Sequence, residues 1–365
     1  MRKAGIITHY HVHNYGAELQ LYGLIRVLEK LGYSASALKY TKNYDFINPE
    51  INAKYKISFK SIPIYLKYLR ENGICRTLYN IKKKIVLNSF EKKFFTIGEY
   101  YSSVKDLDAV VVGSDEIFSL EAGPNPWYWG IGVQCDNVIS YAASFGPTDM
   151  EFINKYRCRE LVYAGLSRIR TISVRDKHSK DLVAEITGRE AEIVCDPVFL
   201  YGFEEELKKT EKVCEERFAI VYAYDGSMND NSTVHAISKY ASRLGIKIYS
   251  IGYYHNWCDM NICCSPLDVF PYFRDAEVVF TDTFHGSVLS ILCSTPLVVR
   301  INANENKLRF LLNQHGLENQ IVSSFIDLER AIENPIDFNS VLEFIRRRRE
   351  MSLRYLKESL ENTEE

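Results

Sequence analysis

Short apolar runs that pass straight into small and polar residues recur along this chain, and that rhythm narrows its folds sharply. Residues 4–8 run into a polar loop at 9–16. Residues 109–112 run into Gly113-Ser114-Asp115-Glu116, and 138–143 into Ser144-Phe145-Gly146-Pro147. Residues 171–174 end in Arg175-Asp176, and 193–195 in Asp196-Pro197. Each run reads as a buried strand. Between the first two strands, Leu19, Leu21, Leu24, Ile25, Leu28 and Leu31 fall largely at helical spacing, with Gly32 as the stop. A strand returns at 34–40. A βαβ opening of this kind implies a parallel sheet with helices on its faces. Open parallel sheets bind ligands just outside the carboxyl ends of their strands, where these polar segments lie.

A second α/β unit begins near Arg217. The pattern predicts strands at 218–223, 247–252, 278–281 and 295–300, and helices at 233–244, 269–275 and 287–293. A charged helix at 341–360, carrying arginines at 346–349, closes the chain. A length of 365 residues suits two domains at about 150 residues each. The expected fold is α/β, with Rossmann-like domains over 1–202 and 203–365.

Residues 54–93 break the rhythm. Eleven Lys or Arg face only Glu71 and Glu91 there, a local charge of +9 in a chain of −2, so the remainder carries −11. Ile, Leu and Tyr are interleaved with that charge, which predicts basic amphipathic helices inserted in the first domain. They read either as a solvated insertion or as a surface attracted to anionic lipid or a phosphate-bearing acceptor. With 45 basic against 47 acidic residues overall, a basic nucleic-acid binder is excluded as the expectation. The nine cysteines lack C-x-x-C pairing, so reduced thiols are expected rather than a disulfide or zinc framework. The first residues lack the apolar stretch of a signal peptide, and no run approaches the roughly 20 apolar residues of a membrane span. The expected location is cytoplasmic, or peripheral at the inner face of the membrane. Aromatic residues at 13% favour a ring-lined polar surface, such as a carbohydrate or membrane-interface site.

Six segments occur in order: N-Y-G-A-E-L-Q at 14–20, V-V-V-G-S-D-E-I-F at 110–118, I-S-Y-A-A-S-F-G at 139–146, S-V-R-D at 173–176, C-D-P-V-F-L at 195–200 and T-D-T-F-H-G-S at 281–287. Together they resemble the polysaccharide pyruvyl transferase family, over roughly residues 4–312. The resemblance implies a GT-B-like arrangement of the two domains. It also implies transfer of pyruvate from phosphoenolpyruvate to sugar hydroxyls of a surface-polysaccharide precursor, lipid-linked or free. The chain departs from a common family form at Thr283, where Arg is usual, and at Glu116, where Gln is more frequent.

The reaction sets its own requirements. Phosphoenolpyruvate carries a phosphate and a carboxylate, so its site needs cationic or N–H donors at strand or helix ends. Ketal formation needs an acid for the enol methylene and an acceptor for hydroxyl protons, but no metal or redox cofactor. His285, between an apolar strand and a helix, is the candidate acid or phosphate donor; capping that helix is its plainer role. The turn around it adds Asp282, Thr283, Gly286 and Ser287. With Arg absent at 283, Arg175 is the candidate cation, or else the partner of Asp176 or another acid in a salt bridge. Lys307 and Arg309 are weaker cations for which surface solvation is the expected role. Asp115 and Glu116 are candidates to orient or deprotonate an acceptor hydroxyl, and Ser114 or Asp115 to cap a helix instead. Asn14, Tyr15 and Gly16 open the first helix, as ligand contacts or as a cap and tight turn. Ser144 ends its strand in the same way.

His9, His11 and His13 form H-x-H-x-H, which on a strand would share one face and suit a transition metal. Their loop position and the want of a partner carboxylate argue against a metal there. Neither G-x-G-x-x-G, a P-loop nor G-x-S-x-G occurs. Two other functions share this architecture: a sugar-nucleotide glycosyltransferase, and a catalytically silent partner-binding relative.

Overall fold

The apolar runs form two parallel sheets in the computed structural model, which describes residues 1–41, 62–121, 123–209, 211–224, 226–301 and 305–361. The first sheet contains β1 (Arg2–Ile7), β2 (Tyr33–Lys39), β3 (Ile97–Tyr100), β4 (Ala109–Val112) and β5 (Val138–Ser140), ordered β3-β2-β1-β4-β5. A short pair, β6 (Ser173–Val174) and β7 (Glu192–Ile193), joins it through bridges from Ile139 to Thr171 and Ala143 to Val174. The second sheet contains β8 (Phe218–Tyr222), β9 (Lys247–Ile251), β10 (Met260–Ile262), β11 (Val279–Thr281), β12 (Leu297–Arg300) and β13 (Ile321–Val322), ordered β10-β9-β8-β11-β12-β13.

Helices pack against these sheets. The first half carries α1 (Tyr15–Lys30), α2 (Ile62–Phe94), α3 (Met150–Lys155), α4 (Arg159–Arg168), α5 (Lys177–Thr187), α6 (Pro197–Tyr201) and α7 (Glu204–Leu207). The second carries α8 (Asn231–Leu244), α9 (Val269–Asp275), α10 (Phe284–Leu292), α11 (Glu305–Gln314), α12 (Leu328–Glu333) and α13 (Phe338–Glu361). On α1, Leu19, Leu24 and Leu28 are fully buried, each contributing about 1.5–3 kcal/mol of transfer free energy. Asn14 caps its start by accepting from the Gly16 N–H at 2.8 Å. Gly32 follows its end at φ +87°, a conformation glycine adopts without a Cβ penalty.

The halves do not merely abut. Val198 and Phe199 share one buried cluster with Phe270, Leu289 and Leu312. Helix α13 returns to the first half: Arg348 donates to the Ile193 carbonyl at 2.7 Å, the Ser352 hydroxyl accepts from the Cys195 N–H at 2.9 Å, and Tyr33 donates to the Leu360 carbonyl at 3.3 Å. The strap fixes the first sheet against the chain's last element.

Several local expectations change. Strand β5 stops at Ser140 because Ala142 takes a left-handed φ of 51°, which leaves the strand conformation. Helix α10 starts at Phe284 rather than 287, because the Thr283 hydroxyl accepts from the Gly286 N–H at 2.9 Å. His9, His11 and His13 do not share a strand face. Strand β1 has ended, and φ is 58° at His11 and 45° at His13.

The basic stretch corresponds to α2, broken at Gly73 (φ 76°, ψ 167°), with residues 54–61 lying outside the described residues. Tyr79, Leu87 and Phe90 are buried, and so are Lys83 and Glu91, which charge alone would place in water. The Tyr79 hydroxyl reaches across to the Ile262 carbonyl at 3.0 Å. Among the described residues, no helix is long and apolar enough to cross a membrane. All nine cysteines are free thiols.

Candidate active site

The carboxyl ends of β4, β6, β7, β11 and β12 converge between the halves, and each delivers one or two polar side chains there. Asp115 and Glu116 follow β4, Arg175 follows β6, and Asp196 follows β7 as the cap of α6. His285 opens α10 after β11, and Lys307 lies on α11 after β12.

Arg175 is the centre of this cluster. Its side chain is 1% exposed and donates to Asp115 at 3.0 Å and Asp196 at 3.2 Å, while its Cζ lies 4.5 Å over the Phe284 ring. Its Nε is buried without a hydrogen-bond partner. The salt bridge expected of it thus forms with these two acids and not with Asp176, whose carboxylate caps α5 and accepts from Ser144 at 2.7 Å. Burial opposes the charge on Arg175, but the carboxylates around it outweigh burial and hold its pKa above the usual arginine value.

The two aspartates respond oppositely. Burial works against ionised Asp115, yet the cations beside it, chiefly Arg175, hold its pKa well below the carboxylate range. Asp115 also sits at φ 72°, a left-handed conformation uncommon outside glycine. Burial dominates at Asp196 and pushes its carboxyl up to about 6, against the pull of Arg175.

His285 lies 3.9 Å from Asp196 through Nε2, and burial pushes its imidazole down to about 3. It is therefore neutral near pH 7. The Gln20 amide agrees with this: its Nε2 donates to His285 Nε2, so that nitrogen is an acceptor. Gln20 Oε1 in turn accepts from the buried Ser114 hydroxyl. A chain Ser114–Gln20–His285 thus crosses from one half to the other. The resting imidazole is not a stored acid.

Lys307 pairs with Glu116 across the same boundary and is 8% exposed, so the expectation of surface solvation fails. Arg309 is exposed. Asn14 caps α1, the plainer of its two expected roles, and donates to the Tyr253 hydroxyl of the other half at 3.5 Å. Tyr15 is buried and donates to the Cys264 carbonyl at 2.8 Å, a bridge between halves. Asp282 accepts from the Tyr224 N–H at 3.2 Å and from the Ser227 hydroxyl. Thr283, Gly286 and Ser287 build the first turn of α10 rather than point at Arg175: Ser287 donates to the Thr283 carbonyl at 3.2 Å. Ser144 likewise positions Asp176.

The histidine trio disperses. His9 contacts the Glu116 carbonyl at 3.3 Å and Tyr128, His11 pairs with Glu91, and His13 is bonded to Asn88. Among the described residues, no group of three or more His, Cys, Asp and Glu is arranged to hold a metal ion.

Gln20, Asp196 and Lys83 are site-adjacent residues that sequence reading did not assign. Gln20 closes the N-Y-G-A-E-L-Q segment and Asp196 sits in C-D-P, so both lay inside segments already singled out. Lys83 gave no signal among its neighbouring lysines. Its ammonium lies 4.1 Å over the Tyr253 ring, beside Asn14.

Two Rossmann-like sheets with a charged cluster between them define an enzyme of the GT-B fold. The chain matches the family model for polysaccharide pyruvyl transferase over residues 14–304, and it belongs to that family of transferases. No curated protein matches it. Among solved structures, it is similar to UDP-GlcNAc 2-epimerase from Methanocaldococcus jannaschii at 12% identity and TM-score 0.51, covering 92% of this chain and 93% of that one. It is similar to UDP-N-acetylglucosamine 2-epimerase from Rickettsia bellii at 11% identity and TM-score 0.50, covering 98% of each. The Arabidopsis thaliana protein UGT89C1, complexed with UDP, matches at 9% identity and TM-score 0.51, over 99% of this chain and all of that one. These likenesses show the shared fold.

Proposed function

We propose that the junction of the halves around Arg175 binds phosphoenolpyruvate and transfers its pyruvyl group to two hydroxyls of a saccharide, lipid-linked or free. The observation that carries the reading is Arg175: a guanidinium buried at the junction of the halves, with Nε unpartnered and the Asp196–His285 pair beside it. A buried fork with a spare donor suits a phosphate or carboxylate, which takes parallel N–H bonds.

The enol methylene gains one proton and becomes a methyl group, the adjacent carbon bonds successively to two sugar oxygens, and its bond to the phosphate oxygen breaks. The two hydroxyls lose two protons; one replaces that given to the methylene and the other leaves with phosphate. Asp196, with its carboxyl raised to about 6, holds a proton near neutral pH more readily than His285 does. An acid of that strength suits general catalysis at physiological pH. His285 passes the proton on when the negative charge of a bound donor raises its basicity. Asp115 and Glu116 stand where a hydroxyl proton is to be accepted. Since both now engage cations, an arriving anion displaces them from Arg175 and Lys307 and frees them for that role. Tyr224 and Tyr253, with ring centroids 5.9 Å apart, offer aromatic faces to the sugar beside Asn14.

The test is product formation. Phosphoenolpyruvate and a pool of cell-surface oligosaccharides are incubated with the enzyme, and phosphate release is followed with the ketal methyl signal by NMR. The reading requires both in equal amounts, with Asp196→Asn slower by about 10²-fold or more. Turnover from a nucleotide sugar, with none from phosphoenolpyruvate, would establish the glycosyltransferase reading instead.

A further inference from the structure

Helix α2 turns one face to the protein and leaves another unpartnered. Ile74, Leu78, Ile81 and Ile85 are 67, 61, 52 and 64% exposed. At 100° per residue these four positions fall within roughly 60° of one another, so they form a single apolar stripe on the helix surface. Elsewhere among the described residues, exposed large apolar side chains occur singly or in twos, as at Tyr163, Ile326 and Met351 with Leu353. The inner face of the helix is already committed, through buried Tyr79, Lys83, Leu87 and Phe90. The stripe is thus no misplaced core.

Lysines frame it. Lys82 and Lys84 lie roughly 80° to either side of the stripe centre, and Lys92 continues its line. All three are exposed, as is Lys93. From residue 74 to 94 the sole acidic residue is Glu91, which is buried against His11. An apolar stripe flanked on both sides by lysine is the pattern of a helix lying in the plane of an anionic bilayer surface. The methylene stems reach along the acyl boundary while the ammonium groups meet lipid phosphates. A second copy of the chain fits this face poorly, since a symmetric pairing would set Lys82 and Lys84 against their own counterparts.

We infer that the 74–85 face of α2 is a membrane-interface surface, which docks the protein on an anionic lipid bilayer without spanning it. The same helix presents Lys83 inward, over Tyr253 at 4.1 Å, and ties to β10 through Tyr79. A docked helix therefore ties the lipid surface to Tyr253 and β10 of the second half through its inner face.

Vesicle co-sedimentation of the full chain tests the inference, and its readout does not depend on any reaction in the cleft. Phosphatidylcholine vesicles are compared with phosphatidylcholine–phosphatidylglycerol vesicles at low and high salt. The inference requires binding to the anionic vesicles that weakens with salt, and at least about tenfold less binding to neutral ones. Leu78→Ser with Ile81→Ser and Ile85→Ser, all solvent-facing, should abolish binding while leaving the circular dichroism and melting curve in place. Lys82→Glu with Lys84→Glu should reduce it about tenfold or more. Cys75 is the exposed thiol of the chain and adjoins the stripe, so a polarity-sensitive dye there should shift blue on anionic vesicles. Absence of binding to both vesicle types, equal binding to both, or a wild-type dimer that the serine variant makes monomeric without any vesicle binding, would each overturn the inference.

Discussion

Gly16 and His285 touch so closely that a Cβ on residue 16 would lie 2.2 Å from the imidazole Cγ and Nδ1. One belongs to the first helix of the first half and the other to a helix start in the second. The requirement for glycine in Asn14-Tyr15-Gly16 is thus set by a ring from the far side of the cleft, and not by backbone conformation. Gly16→Ala should leave the sheets intact and push the imidazole away from Gln20 and Asp196. Steady-state kinetics should show turnover reduced by about 10²-fold, the scale of a 1 Å misplacement. Wild-type turnover in that variant would remove His285 from the reacting geometry.

Asp196 and His285 make opposite contributions to the pH dependence of stability. The folded value of about 6 for Asp196 exceeds its ordinary 3.8, so its contribution is full below about pH 4 and lost as pH rises through 6. The folded value of about 3 for His285 lies below its ordinary 6.5, so its contribution is full above 6.5 and lost as pH falls through 3. Between pH 4 and 6 the two slopes cancel, each at about 1.4 kcal/mol per unit. Relative to wild type, His285→Gln should therefore lose stability as pH climbs from 4 to 6, and Asp196→Asn should gain it, by on the order of 2–3 kcal/mol. Urea unfolding at several pH values measures both.

Arg175→Met removes the counter-charge from two carboxylates, one of them 1% exposed. Breaking a buried pair in this way costs about 3–5 kcal/mol, which chemical denaturation should register. Arg175→Lys keeps the charge but not the fork. It should fold with a smaller loss and still be strongly impaired in turnover, separating the structural and functional roles of the guanidinium.

Glu116 competes with an incoming anion for Lys307. Glu116→Gln should tighten phosphoenolpyruvate binding several-fold in calorimetry, where tenfold is about 1.4 kcal/mol, while lowering turnover. Weaker binding in that variant would mean that Glu116 contacts the donor favourably.

The strand-end residues were legible because an apolar run that stops at a polar group already states where that group sits. Asp115, Arg175 and His285 stand out on that ground, and the ordered segments mark both halves. The partners were not legible. Arg175 finds Asp115 and Asp196, 60 and 21 residues away, rather than adjacent Asp176. Gln20 lies within the apolar face of a helix, where an amide reads as tolerated, and its two bonds are made across 94 and 265 residues. Lys83 sits in a run of three lysines, and only tertiary packing separates the inward one from its exposed neighbours. Short strands such as β13, two residues at a sheet edge, carry too little pattern to be read.

Ligand-dependent unfolding tests the central claim, that the Arg175 cleft takes phosphoenolpyruvate, without requiring the acceptor to be known. Wild type and Arg175→Lys are unfolded with phosphoenolpyruvate or with UDP-GlcNAc. At a hundred times Kd, a ligand of the native state stabilises by about 2.7 kcal/mol. The account predicts stabilisation of wild type by phosphoenolpyruvate, little by UDP-GlcNAc, and loss of the phosphoenolpyruvate effect in Arg175→Lys. Stabilisation by UDP-GlcNAc alone, or an equal phosphoenolpyruvate effect in both proteins, would contradict it.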